Sequence, residues 1–174
     1  SLALIILVYL FWLMLDMASV GRESVGQGLR YGAVGIAMLL AVQLVFGAFT
    51  AGLDAGHGFN TWPLMHGQFL ADAAVMIDPA WRNLIQNGAM IQFVHRWLGG
   101  LLVLAVIAFS ILALRQGVLR QPVLALLAVT GCQFLLGVFT LLYAVPILLG
   151  SLHQAVACVM ALTLTYVIYV CRPE

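Results

Sequence analysis

The sequence predicts an all-α membrane protein: a four-helix transmembrane bundle of two pseudo-symmetric hairpins, plus one truncated extra transmembrane helix in front of it. Of its 174 residues, 64% are hydrophobic and 7% are charged, and the mean hydropathy is +1.12. Soluble domains do not have this composition. Two further observations support the prediction: apolar stretches of membrane-spanning length recur along the chain, and one helical segment occurs twice.

Five apolar stretches define the predicted helices in order. The first, residues 2–15, is shorter than a membrane crossing, and we expect its helix to begin upstream of the sequence. Each of the other four has close to the roughly 20 apolar residues that a spanning helix needs. These four cover residues 31–53, 89–114, 123–143 and 147–170.

The polar connections between the apolar stretches divide the chain into three predicted parts. Residues 1–20 would hold the truncated last helix of a missing N-terminal half, 21–30 a cytoplasmic linker, and 31–174 the bundle, with an outer loop at 54–88. Arginines gather in the first and third connections and at the C-terminus: Arg22, Arg30, Arg115, Arg120 and Arg172. By the positive-inside rule these regions are cytoplasmic and the long loop faces out. We therefore expect a multi-pass protein of the inner (plasma) membrane.

Several function classes are excluded by composition and motifs. The seven basic residues are all arginine and are scattered, so membrane lipid is an expected partner and nucleic acid is not. The three cysteines, Cys132, Cys158 and Cys171, lie within or at the end of apolar runs without a CxxC motif, which indicates packing residues. No phosphate-binding, dinucleotide-binding or serine-hydrolase motif is found.

An internal repeat links two histidines. QLVFGAFT (43–50) and QFLLGVFT (133–140) share Gln, Gly, Phe and Thr at the same offsets. Each copy is followed by a turn and then by a helix with a histidine near its outer start, His95 in one hairpin and His153 in the other. The repeat therefore predicts one histidine per hairpin, at similar depth in the membrane.

Two interpretations of these histidines are open from the residues alone. Each one could be a helix-end histidine wetted at the interface. Alternatively, two neutral imidazoles from different helices at matched depth are the usual arrangement for holding a haem iron from both sides. Because the repeat pairs them, we predict that His95 and His153 are metal ligands.

The neighbours of the histidines suit a flat macrocycle. Gly99 and Gly100 follow His95, and Gly150 precedes His153, so these helix faces lack side-chain bulk. We count Gly99 as cofactor-binding, although glycine also serves ordinary packing of membrane helices. Arg96 is predicted to pair with a haem propionate, the alternative being a side chain that reaches the lipid headgroups.

Other polar residues are assigned simpler roles. His57 and His66 have no recognisable zinc spacing and are expected to be solvated loop histidines. Asn87 is expected to cap the helix that carries His95, and Gln92 either binds a ligand or helps that helix start.

These segments resemble a known family. GLDAGHGFNTWPLMHGQF (52–69) and WRNLIQNGAMIQFVHRWLGG (81–100) are similar to the second half of haem A synthase, the membrane enzyme that makes haem A for cytochrome oxidase. LGSLHQAVA (149–157) looks like the family's last helix, which carries its second histidine. The resemblance covers essentially the whole chain, with Gln86 and Gly88 standing where an acidic and a bulkier apolar residue are expected.

The resemblance implies an oxidoreductase of two pseudo-symmetric halves. By position, His95 and His153 would be the axial ligands of a haem b cofactor, and the N-terminal half would receive the substrate haem O. The reaction would oxidise a methyl group of haem O to the formyl group of haem A, with water as the oxygen source. Because the catalytic residues are expected in the N-terminal half, the chain alone would be inactive. Haem O synthase and a second copy of the chain are the protein partners considered.

Two other functions remain open at this point. A stand-alone bis-histidine electron carrier of cytochrome b type needs only the two histidines. A small transporter or packing subunit would need no metal, but it should have a helix broken near mid-membrane, and the sequence has its polar positions at the outer end instead.

Overall fold

The computed structural model describes residues 2–173, and these residues contain helices and no β-strand. The α-helices are α1 (Leu2–Met17), α2 (Gln27–Gly52), α3 (Asn83–Gln86), α4 (Gly88–Arg115), α5 (Arg120–Leu142) and α6 (Ile147–Cys171). Three short 3-10 helices lie in the long loop between α2 and α3: Ala55–His57, Asp72–Val75 and Ala80–Arg82.

Four helices, α2, α4, α5 and α6, are long and apolar enough to cross a membrane. The predicted all-α membrane fold is confirmed, and the chain is a multi-pass membrane protein. The ends of α4 differ from the predicted stretch by one residue each. In contrast, α2 begins at Gln27, inside the predicted linker. Hydropathy detects only the apolar part of a helix, whereas backbone hydrogen bonding continues through polar residues at its end.

The chain divides into two compact units. The first contains residues up to Leu40, Leu102–Gln133 and the residues from Gln154 onwards. In this unit α1 packs on the end of α6, where Trp12 meets Tyr169 edge to face at 5.2 Å between ring centroids. Arg172 forms a salt bridge with Asp16 beside this contact.

The connection between α1 and α2 is also tied down within the first unit. Glu23 accepts a hydrogen bond from the backbone N–H of Leu119 at 2.6 Å, and its own N–H donates to the carbonyl of Val170 at 3.0 Å. Leu119 is fully buried and has a φ of 55°, a left-handed conformation that few leucines adopt. The Glu23 carboxylate thus satisfies the backbone at the turn where α5 begins.

The second unit contains Ala41–Leu101 and Phe134–His153, and therefore the whole outer loop. Asn87 joins this loop to α4. Its Oδ1 accepts from the N–H groups of Ala89 and Met90 at 3.0 and 3.4 Å, and its Nδ2 donates to the carbonyl of Ala73 and to Oδ1 of Asn83. The predicted cap of α4 is confirmed, and the same side chain anchors a distant part of the loop.

Replacing Asn87 with alanine is expected to destabilise the protein by about 1–2 kcal/mol, the range measured for lost N-caps. The loss should lie at the upper end, because the change also leaves a partly buried carbonyl without a donor. Denaturant unfolding in mixed micelles measures the difference. Gln86→Ala, one residue earlier on an exposed side chain, is the matched control and should change stability little. An Asn87→Ala protein as stable as this control would contradict the assignment.

Candidate haem site

His95 and His153 occupy equivalent positions on two helices. His95 lies two turns after the start of α4, and His153 lies two turns after the start of α6. Both side chains belong to the second unit and both are partly buried. The structure therefore gives the two residues that the repeat singled out equivalent places in one compact unit.

Each histidine lies against the glycine of one repeat copy. A Cβ atom placed on Gly47 would stand 3.0 Å from Cε1 of His95. The matching atom on Gly137 would stand 2.9 Å from Cε1 of His153. The repeat is therefore structural: in both hairpins its glycine makes room for an imidazole ring. The side chain that fills the space beside each of these glycines is the histidine itself.

The glutamine of the first repeat copy holds the helix that carries His95. Gln43 donates from Nε2 to the backbone carbonyl of His95 at 3.0 Å. Gly99 leaves room for this contact, because a Cβ there would lie 3.0 Å from Nε2 of Gln43. The space beside Gly99 is thus occupied by Gln43, whereas the position beside Gly100 has no atom within 4 Å. Cofactor contact at Gly99 stays a prediction. Sequence reasoning assigned no role to Gln43, although the repeat marked it.

Arg96 is buried, with 5% of its surface exposed, so it does not reach towards headgroups. Its guanidinium donates to four carbonyl oxygens of the outer loop. The acceptors are Thr61, Pro63 and Leu64 for Nη1, at 2.8, 2.9 and 3.0 Å, and Phe59 for Nη2, at 3.2 Å. Nε is buried without a partner among the described residues. The predicted propionate contact stays a prediction, and Nε is a donor that remains for it.

Two residues near Arg96 complete this attachment. Gln92, which is 3% exposed, lies one turn before Arg96 and donates to the same Phe59 carbonyl at 3.3 Å. The ring of Trp62 lies 5.4 Å from the guanidinium carbon of Arg96 and 5.6 Å from the ring of Phe134 on α5. Gln92 therefore supports the loop, and the ligand contact expected for it stays a prediction.

The loop histidines are placed as expected. His57 and His66 are both exposed, and His66 packs against the ring of Phe59 at 5.1 Å between centroids. Among residues 2–173, no group of three or more His, Cys, Asp or Glu side chains could hold a metal ion. A haem iron takes only its two axial ligands from the protein, so a pair of histidines is sufficient for it.

The environment of His95 suits a ligand better than a structural role. Its Nδ1 is buried and has no hydrogen-bond partner among the described residues. A structural histidine in a membrane helix would be expected to have its nitrogens paired, because an unpaired buried polar group costs free energy. His95 instead packs its ring on Gly47. This contact uses no ring nitrogen, so the imidazole can still bind a cofactor through a nitrogen.

A family model and several named relatives match this chain. A family model described as cytochrome oxidase assembly protein matches residues 1–165. A Rhodopseudomonas palustris protein named heme A synthase is 42% identical over 165 residues, which are 92% of this chain and 44% of that protein. A Rhodospirillum centenum protein of the same name is 39% identical, over 92% of this chain and 43% of its own length. One from Bartonella henselae is 34% identical, over 89% and 44%.

The chain spans less than half the length of these relatives. The family match nevertheless covers almost all of the chain itself. The chain therefore belongs to the cytochrome oxidase assembly protein family, together with the relatives named heme A synthase.

Proposed function

We propose that this chain is the haem b-binding, C-terminal half of a haem A synthase. The observation that carries the proposal is the repeated contact of a histidine ring on a glycine, His95 on Gly47 and His153 on Gly137. A cofactor held between two imidazoles needs one histidine from each hairpin in an equivalent position, and these two contacts provide that. The family membership and the names of the relatives support the same function.

In this proposal His95 and His153 hold the haem b iron. The bound haem would supply a centre that accepts and releases single electrons. The protein residues fix its ligands: Gln43 holds the backbone of His95, and the repeat glycines set the positions of both rings. Arg96 would offer its buried Nε–H to a haem propionate. Gly99 would line the cofactor site together with Gln43, whose amide fills the space beside this glycine.

The whole enzyme would oxidise a methyl group of haem O to the formyl group of haem A for cytochrome oxidase assembly. The residues that act on haem O would lie in an N-terminal half, of which α1 is the last helix. The chain would then be inactive alone, and electrons taken from the substrate would pass to the haem b site. We assign no catalytic residue to this chain.

The enzyme would lie in the inner (plasma) membrane with the loop 54–88 on the outer face. The distribution of arginines supports this orientation, because five of the seven lie in the connections and the C-terminus opposite to that loop. Both histidines would then lie near the outer surface of the membrane.

Haem analysis tests the function. The full-length protein that contains this chain would be expressed in cells that make haem O but have no haem A synthase of their own. Extracted haems, separated by chromatography, should then include haem A, and His95→Ala should prevent its formation. Haem O alone, together with a retained bis-histidine spectrum, would contradict the proposal and favour an electron carrier of cytochrome b type.

A further inference from the structure

We propose that Arg96 and Trp62 form a clasp that closes the outer end of the haem site and holds α4 and α5 at a fixed spacing. This inference rests on the proposed function, because the clasp acts on the cofactor through the two helices that position its ligands. In the clasp Arg96 acts as a positioning residue through Nη1 and Nη2, whose partner is the segment Phe59–Leu64 of the outer loop. This role is separate from the Nε–H proposed for a propionate.

The contacts of Arg96 are those of a structural anchor. Its guanidinium binds four carbonyl oxygens within six consecutive residues, so it fixes the path of that segment. Burying a guanidinium is costly unless its N–H groups are paired. A planar group with five donors can satisfy several diverging carbonyls at once, whereas an ammonium has a different geometry. Arg96 directly follows His95 on α4, so the segment is attached to this helix at the residue after the proposed ligand.

The same segment is attached to the second hairpin. Asn60 donates to the carbonyl of Leu141 near the end of α5 at 2.8 Å. Trp62 lies against Phe134, which is one turn before Gly137 on α5. The segment therefore bridges the helix that bears His95 and the helix whose glycine seats His153.

A further contact strengthens this second attachment. Val145, in the turn between α5 and α6, has a φ of 56°, which is rare for a β-branched residue. Its Cγ2 lies so close to Gly56 that a Cβ there would be only 2.7 Å away. The loop is therefore held against a strained turn, which persists only where the surroundings determine it.

The clasp has two consequences for a bound haem. It would keep the spacing between α4 and α5 constant. It would also cover the outer side of the site with the segment Phe59–Leu64, which is held by hydrogen bonds to both helices. Solvent exposure and hydrogen bonding near a haem set its reduction potential. Loosening the clasp should thus lower the retention of haem and shift its potential without removing either ligand.

Arg96→Lys in the haem-loaded full chain tests the clasp. It keeps the charge but removes the fork of donors. We expect haem transfer to apomyoglobin to accelerate about tenfold, in the range seen for partners that support metal ligands. The midpoint potential should shift, while the spectrum stays six-coordinate and low-spin. Limited proteolysis should cleave the segment 59–64 faster than in the unchanged protein.

Two more variants complete the experiment. Trp62→Leu leaves the carbonyl contacts of Arg96 in place and should give a smaller change in the same direction. Arg82→Lys is the matched control. Arg82 lies in the same loop, but within residues 2–173 its guanidinium donates to Gln86 and to the carbonyl of Asp78 and not to the segment 59–64. It should leave haem release, potential and cleavage unchanged.

The outcomes separate this inference from the proposed function. Unchanged haem release and potential in a haem-loaded Arg96→Lys protein would overturn the clasp and leave the haem site intact. Equal changes in haem release and potential in Arg96→Lys and Arg82→Lys would also overturn the clasp, since an arginine without contacts to the segment 59–64 would then matter as much. An unchanged chain that binds no haem would overturn the proposed function, and the clasp as a device of the haem site with it.

Discussion

Replacing His95 with alanine is expected to abolish the six-coordinate, low-spin haem spectrum of the purified protein. In the proposed site the change removes one of the two protein ligands to the iron, and alanine offers no atom that binds it. The same loss is expected for His153→Ala, because the two rings are seated equivalently. Visible absorption of the reduced protein in mild detergent, with haem quantified per protein, measures both effects.

His57→Ala is the control for this prediction. His57 is exposed in the outer loop, so its removal should leave spectrum and haem content unchanged. A low-spin spectrum that survives His95→Ala or His153→Ala would show that another side chain supplies an axial ligand. The proposed pair would then be wrong.

Gly137→Ala is expected to displace the ring of His153 and reduce haem affinity by about tenfold, the lower end of the range for disturbed ligand orientation. An added methyl group would lie 2.9 Å from Cε1 of the ring, a distance that real Cβ contacts essentially never show. The backbone of α5 is fixed by its own hydrogen bonds, so the imidazole has to move. Gly47→Ala should act in the same direction on His95, more weakly because its contact is 3.0 Å.

Gly131→Ala provides the matched change on the same helix. No atom lies within 4 Å of the position that its Cβ would take. Haem titrations of the three variants compare them directly, and only the repeat glycines should weaken binding. Equal haem affinities of Gly137→Ala and Gly131→Ala would contradict the claim that Gly137 positions the ring of His153.

The sequence predicted the membrane helices well because the bilayer imposes a simple rule. A helix that crosses it must be apolar over its whole buried length, so hydropathy marks α4 to within one residue at each end. The start of α2 at Gln27 was missed because a helix can extend into polar residues outside the hydrocarbon core. Asn87 was identified as a cap because its role depends on local sequence alone.

The contacts around the histidines were harder to predict. The repeat includes Gly47 and Gly137. Which side chain fills the space beside each glycine depends on how the helices pack, and the pattern of residue types does not indicate that packing. Arg96 was assigned to a propionate because an arginine beside a ligand suits an anion. That contact stays a prediction, whereas Nη1 and Nη2 donate to backbone carbonyls. Every residue has a backbone carbonyl, so the pattern of residue types could not indicate these acceptors.

Electron paramagnetic resonance of the oxidised protein tests the central claim most directly. The account predicts a low-spin ferric signal, of a kind given by two axial imidazoles, in the unchanged protein and in His57→Ala. The signal should be lost in His95→Ala and in His153→Ala. An axial high-spin signal in the unchanged protein, or a low-spin signal that persists without either histidine, would contradict the claim that these two rings hold one iron.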